Sequence, residues 1–148
     1  INTRLAARNR TMAGLDRMTE LAKAFDEACR ADDDLVMSAT NRDFQMAIVE
    51  AGRNPYLARS YGQLLDEGRR ILHMHFAYIQ RPDDETLLNK DHYDMIQAIR
   101  DRDVARADTL AHDHTRQFHD RFMHFLRARY EDDFDFDLPY PGAGTSDG

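Results

Sequence analysis

The 148-residue chain has one cysteine, no tryptophan, seven glycines and four prolines. The lone thiol, Cys29, rules out an internal disulfide framework and fits a reducing, cytoplasmic setting. No apolar run approaches the ~20 residues that a membrane helix needs. No charged, apolar and small-residue leader opens the chain. Basic charge is also scarce: 20 Lys and Arg stand against 27 Asp and Glu, a formal net charge of −7. A chain of that sign is a poor non-specific partner for DNA or anionic lipid. There is no Gly-rich phosphate loop, no HExxH, no CxxC and no pair of Glu-x-x-His motifs. Ser38 and Ser60 have no evident His and Asp partners for a triad. These absences point to one domain, long enough to bury a core, that is not itself a nucleic-acid grip.

The chain carries helical periodicity almost everywhere. Met12, Leu15, Met18, Leu21, Ala22 and Phe25 step by three and four, and Thr11 stands where an N-cap belongs. Asp32, Asp33 and Asp34 suit the start of a second helix, where carboxylates meet free N–H groups. That helix carries Leu35, Val36, Ala39, Phe44, Ala47, Ile48 and Ala51, and Gly52 is expected to end it in the left-handed conformation. Asn54-Pro55 predicts a cap and first turn of a helix running to about Gln80. Arg81-Pro82-Asp83-Asp84 is a breaker. Leu87, Leu88, His92, Met95, Ile96 and Ile99 mark the next helix. Asp101-Arg102-Asp103 is a turn, and a final helix runs from Val104 to about Tyr130. No stretch alternates with period two, so no sheet is expected. The predicted fold is an all-α antiparallel bundle of about six helices over residues 1–130. Residues 131–148 read as an acidic, frayed tail; alternatively, Phe134, Phe136 and Tyr140 dock on a neighbouring subunit or domain. Leu5-Ala6-Ala7-Arg8 reads as mid-helix with no cap before it, which suggests a fragment of a longer protein.

Asn41 and Gln45 are four apart, so they project from one helix face. His92 and His114 fall within the apolar stripes of two later helices and should point inward. Four polar groups from three helices are then candidates to share a cavity, because a buried polar group without a partner costs a few kcal/mol. A solvated Asn–Gln face and two singly satisfied core histidines remain the alternative. One of Arg69 and Arg70, reaching inward, would bind a carboxylate bidentately; otherwise each makes an exposed pair with Asp66 or Glu67. His112, His119 and His124 read as surface or interface groups. One of His73 and His75 is expected to face the interior. Cys29 reads as a small core residue.

The run Asn41-Arg-Asp-Phe44-Gln45, Ala47-Ile48, Ala51-Gly52 and Asn54-Pro55-Tyr56-Leu57 resembles the stretch Asp-x-x-Phe-His…Ile…Ala…Asn-x-x-Leu. That stretch belongs to the FadR-type C-terminal effector domain of GntR-family transcription regulators. Asp91-His92…Ile96-x-Ala98-Ile99-x-Asp101-x-Asp103…Ala107…His114 resembles the second signature of that domain. Leu5-Ala6-Ala7-Arg8 resembles its opening motif, so the resemblance spans about Ile1 to Tyr130.

The resemblance implies an all-helical, homodimeric sensor, not an enzyme. It binds a small organic acid or related metabolite in a central cavity. It also implies an upstream winged helix-turn-helix domain, outside this chain, that contacts operator DNA. Many such domains hold zinc or nickel through one Asp and three His. Carried over residue by residue, the Asp falls on Asn41 and the three His fall on Gln45, His92 and His114. Amide oxygens are weak ligands for such ions. The expectation is therefore a metal-free cavity in which these four residues hydrogen-bond the effector, with His92 and His114 as a residual, weak metal pair. Partly protonated, the two histidines would favour an anion. Two other readings compete with this one: a metal-dependent helical enzyme built on His92 and His114, and a purely structural oligomerisation module.

Overall fold

In a computed structural model, the described residues are 1–71, 73–74 and 85–130. The side chains of 85–89, 125 and 128–130 are not described. The expected breaker at Arg81-Pro82, His75 and the aromatic residues of the 131–148 tail lie outside the described residues. The described residues include helices α1 Asn2–Asn9, α2 Met12–Arg30, α3 Asp34–Ala51, α4 Pro55–Glu67, α5 Glu85–Arg100 and α6 Val104–Tyr130. No strand occurs among the described residues, so the fold is all-α.

Local chemistry sets the helix starts. The Thr11 hydroxyl accepts from Gly14 N–H at 3.1 Å and opens α2. The carboxylate of Asp33 accepts from Val36 N–H at 3.0 Å and opens α3. Asn54 accepts from both Tyr56 and Leu57 N–H at 3.1 Å, with Pro55 in the first turn of α4. Each cap satisfies donors that the helix itself leaves orphaned.

Two helix ends depart from expectation. Gly52 is right-handed (φ −70°), and the left-handed residue is Arg53 (φ 55°). Glycine stands at 52 because α1 crosses there. A Cβ would meet Leu5 Cβ and the Val49 carbonyl oxygen at 3.0 Å each. The helix expected from 55 to 80 is interrupted earlier. α4 ends at Glu67, Gly68 turns with its N–H bonded back to the Leu64 carbonyl, and helical backbone resumes at Arg69.

α1 packs on α3, α5 and α6; α2 packs on α3 and α5; and α3 also packs on α4. The three-residue link 31–33 folds α3 back along α2, as short links do between neighbouring helices. One core, with Leu15, Met18, Phe44, Ile48, Met95 and Ile99, joins these faces. A second cluster holds Phe25, Ala28, Cys29 and Met37. α1 is tied down at its C-terminal end. Arg10 donates twice to the Arg100 carbonyl, Arg102 donates to the Arg8 carbonyl, and Asn9 donates to the Gly52 carbonyl. Met12 and Leu35, expected on apolar stripes, remain largely exposed, as does Leu64 of α4.

Candidate functional site

His92 sits on the inner face of α5, only 1% exposed. The Phe25 ring meets it edge-on at 4.8 Å and the Phe44 ring at 4.3 Å. An imidazolium in that apolar clamp would lose its hydration. Burial, and then the charge of His114, push the His92 pKa down to about 3, so the ring is neutral near neutral pH. This corrects the expectation that both histidines could help draw an anion. The Asn41 carbonyl oxygen can only accept, so His92 Nε2–H donates to Asn41 Oδ1, at 3.3 Å. α3 and α5 are thus joined by one buried polar contact. The other ring nitrogen, Nδ1, is buried with no hydrogen-bond partner among the described residues.

His114 lies on α6, with ring centroid 5.9 Å from that of His92. Its Nδ1 is 3.4 Å from Asp91 Oδ2. That hydrogen bond holds the Asp91 carboxyl below the usual carboxylate range, so Asp91 is ionised and accepts while Nδ1–H donates. Both side chains are partly buried.

A pocket of about 430 Å³ opens against this polar cluster. Asn41 and Gln45 from α3, Tyr61 from α4, and His114 and Thr115 from α6 supply polar groups to its wall. Ile48, Val49, Leu65, Ile71, Met95 and Phe118 supply the apolar remainder, and Asn2 and Thr3 border it from α1. Burial pushes the Tyr61 phenol pKa up, so that group stays a neutral donor and acceptor. The volume and mixed lining are those of a small-molecule site.

The structure therefore brings Asn41, Gln45, His92 and His114 into one neighbourhood. His92 stands behind the wall and orients Asn41 rather than lining the pocket. Arg69 and Arg70 are not brought there. Both are exposed and border a separate groove of about 820 Å³ with Arg42, Asp66 and His73. The turn at Gly68 carries them to the water-facing side, where guanidinium groups keep their hydration. In that groove Arg42 donates to Asp66 at 2.7 Å. His112, His119 and His124 are exposed, as expected. Sequence reasoning missed Tyr61 as a site residue, and also Asp91 and Thr115, although each of these two adjoins a chosen histidine.

The donor set does not fit a zinc- or nickel-like ion. Asn41 and Gln45 offer neutral amide oxygens, and the Nε2 of His92 is engaged by Asn41. Among the described residues, no three His, Cys, Asp or Glu side chains are grouped to hold a metal. Also among the described residues, no helix is long and apolar enough to cross a membrane. No curated protein matches the chain. The FCD domain family matches residues 2–117, well over half of it. Family signature, helical bundle and pocket agree: the chain belongs to the FCD family, the C-terminal effector-binding domain of GntR/FadR-type transcription regulators.

Proposed function

We propose that this domain senses a small metabolite in the 430 Å³ pocket through Asn41, Gln45 and His114, without a metal ion. The observation that carries the reading is the convergence of those three side chains from α3 and α6 on a cavity to which Tyr61 and Thr115 add hydroxyls and apolar residues much of the remaining wall. His92 serves as a positioning residue, since its Nε2–H fixes the amide of Asn41. The family resemblance supports an organic acid or related metabolite as effector. It also supports pairing of two copies of the chain and an upstream winged helix-turn-helix domain that contacts operator DNA. Occupancy changes regulation only if the effector binds two arrangements of the bundle with different affinity. Calorimetric titration with a panel of organic acids, sugar acids and alcohols tests this. At least one compound is expected to bind, and Asn41→Ala is expected to weaken it by about tenfold through the lost hydrogen bond. No heat from any compound, or binding that Asn41→Ala leaves unchanged, overturns the reading.

A further inference from the structure

Among the described residues, the left-handed positions held by something other than glycine are Arg53 (φ 55°), Arg102 (φ 57°) and Asp32 (φ 56°). A side chain with a Cβ is strained there, and glycine is not, so turn geometry by itself does not call for arginine at 53 and 102. Both arginine turns lie at one end of the bundle. Arg10 donates to the Arg100 carbonyl at 3.0 and 2.7 Å, Arg102 donates to the Arg8 carbonyl at 2.7 Å, and Asn9 donates to the Gly52 carbonyl at 2.9 Å. These bonds gather Arg8, Arg10, Arg53, Arg100 and Arg102 around the corner between α1 and α2. All but Arg10 are exposed. Among the described residues, none of the five guanidinium groups forms an ion pair. Two nearby carboxylates are engaged otherwise. Asp101 accepts from the Gln97 side-chain amide at 2.9 Å, and Asp103 accepts from Arg106 N–H at 2.9 Å. Glu50 borders a cleft of about 280 Å³ with Arg17 and Arg53. The third left-handed turn carries the opposite charge: Asp32 stands beside Asp33 and Asp34 at the far end of α2. The 19 residues of α2 set the two ends roughly 28 Å apart. The formal charge of −7 thus averages a basic end against an acidic remainder. Exposed charges are screened beyond about 10 Å at ~0.1 M salt, so that average does not govern what the basic end meets.

We propose that this basic end rests on the phosphate backbone of duplex DNA. The partner follows from charge and from the family: a transcription regulator works against a polyanion with one charge per ~1.7 Å of axis, and exposed guanidinium groups bind phosphate. Such a contact reads no sequence and adds affinity to the element that does. It is independent of the pocket reading, and each can fail alone. The test uses the full chain and a short fluorescein-labelled duplex of arbitrary sequence, titrated by anisotropy at several salt concentrations. For four or five neutralised phosphates, the log–log slope with salt is expected near about −4, a loss of roughly 100-fold or more between ~50 and ~200 mM. Amide shifts in two-dimensional NMR should gather at residues 8–10, 52–54 and 100–102. Arg53→Asn with Arg100→Gln removes two charges and keeps the guanidinium–carbonyl bonds of Arg10 and Arg102; asparagine also suits the left-handed backbone. The slope should shrink by about 2. Arg69→Gln with Arg70→Gln makes the same charge change in the separate groove and should leave the titration unaltered. No anisotropy change at ~50 mM salt, equal weakening by the two double variants, or shifts gathered elsewhere overturns the inference. If the arginines only stabilise the helix C-termini that meet here, the 53/100 variant lowers the urea midpoint while the parent chain binds no duplex, which refutes it too. Sedimentation showing that this variant breaks up an assembly of chains that binds no DNA also refutes it, because the basic end would then meet the acidic end of a second copy.

Discussion

Acidification should unfold this domain through one buried ring. His92 is held neutral between Phe25 and Phe44, with its pKa lowered from 6.5 to about 3. In the unfolded chain the same ring protonates near 6.5. Between those two values the unfolded state binds the extra proton, so stability rises with pH and is lost as pH falls. Each pH unit inside the window costs about 1.4 kcal/mol. Moving from about pH 6.5 to about pH 5 should therefore remove roughly 2 kcal/mol, and the full window roughly 4–5 kcal/mol. Those are large fractions of a typical domain stability of roughly 5–15 kcal/mol. The Asp91 contribution runs in the same direction but lower. Its folded pKa lies below 3.8, so its share is lost only in stronger acid. The assay is urea unfolding followed by far-ultraviolet circular dichroism at several pH values, on the parent chain and on His92→Gln. Glutamine keeps a donor for Asn41 and does not titrate, so the difference between the two slopes isolates His92 from the other histidines, His114 beside it included. Equal slopes for the two chains above about pH 5 would refute the reasoning.

Three further outcomes are expected. Phe44→Ala removes a fully buried ring packed on His92 and should cost about 3–5 kcal/mol by urea unfolding. Asn54→Ala deletes the cap of α4, which holds two backbone N–H groups, and should cost about 1 kcal/mol; a loss below a few tenths would remove the cap's importance. Asn41→Asp combined with Gln45→His restores one carboxylate and one imidazole beside His92 and His114. Zinc affinity by calorimetry should then rise by roughly 100-fold or more; unchanged affinity would sink the carry-over of the family ligands to positions 41 and 45.

The sequence by itself determined most of the helices, the break at Gly68 excepted, because helix formation reads neighbours within four positions. Thr11 and Asn54 announce caps, Pro55 suits a first turn, and the three- and four-residue steps of Leu15, Met18, Ala22 and Phe25 mark a face that packs. Order and spacing of Asn41, Phe44, Gln45, Asn54, His92 and His114 also carried the family signature. Which polar groups meet was decided only by the tertiary structure. Asn41 and His92 are 51 positions apart, and His114 and Asp91 are 23 apart. Their pairing depends on how α3, α5 and α6 rotate against one another, which no local period encodes. The same packing set His92 behind the pocket wall and made Gly52 a crossing point for α1 instead of a left-handed cap. It also left Arg69 and Arg70 in water, because the break at Gly68 turned them from the cavity. Residue type thus marked Asn41, Gln45, His92 and His114 as candidates, while burial and partner geometry decided which of them touch the pocket and in what charge state.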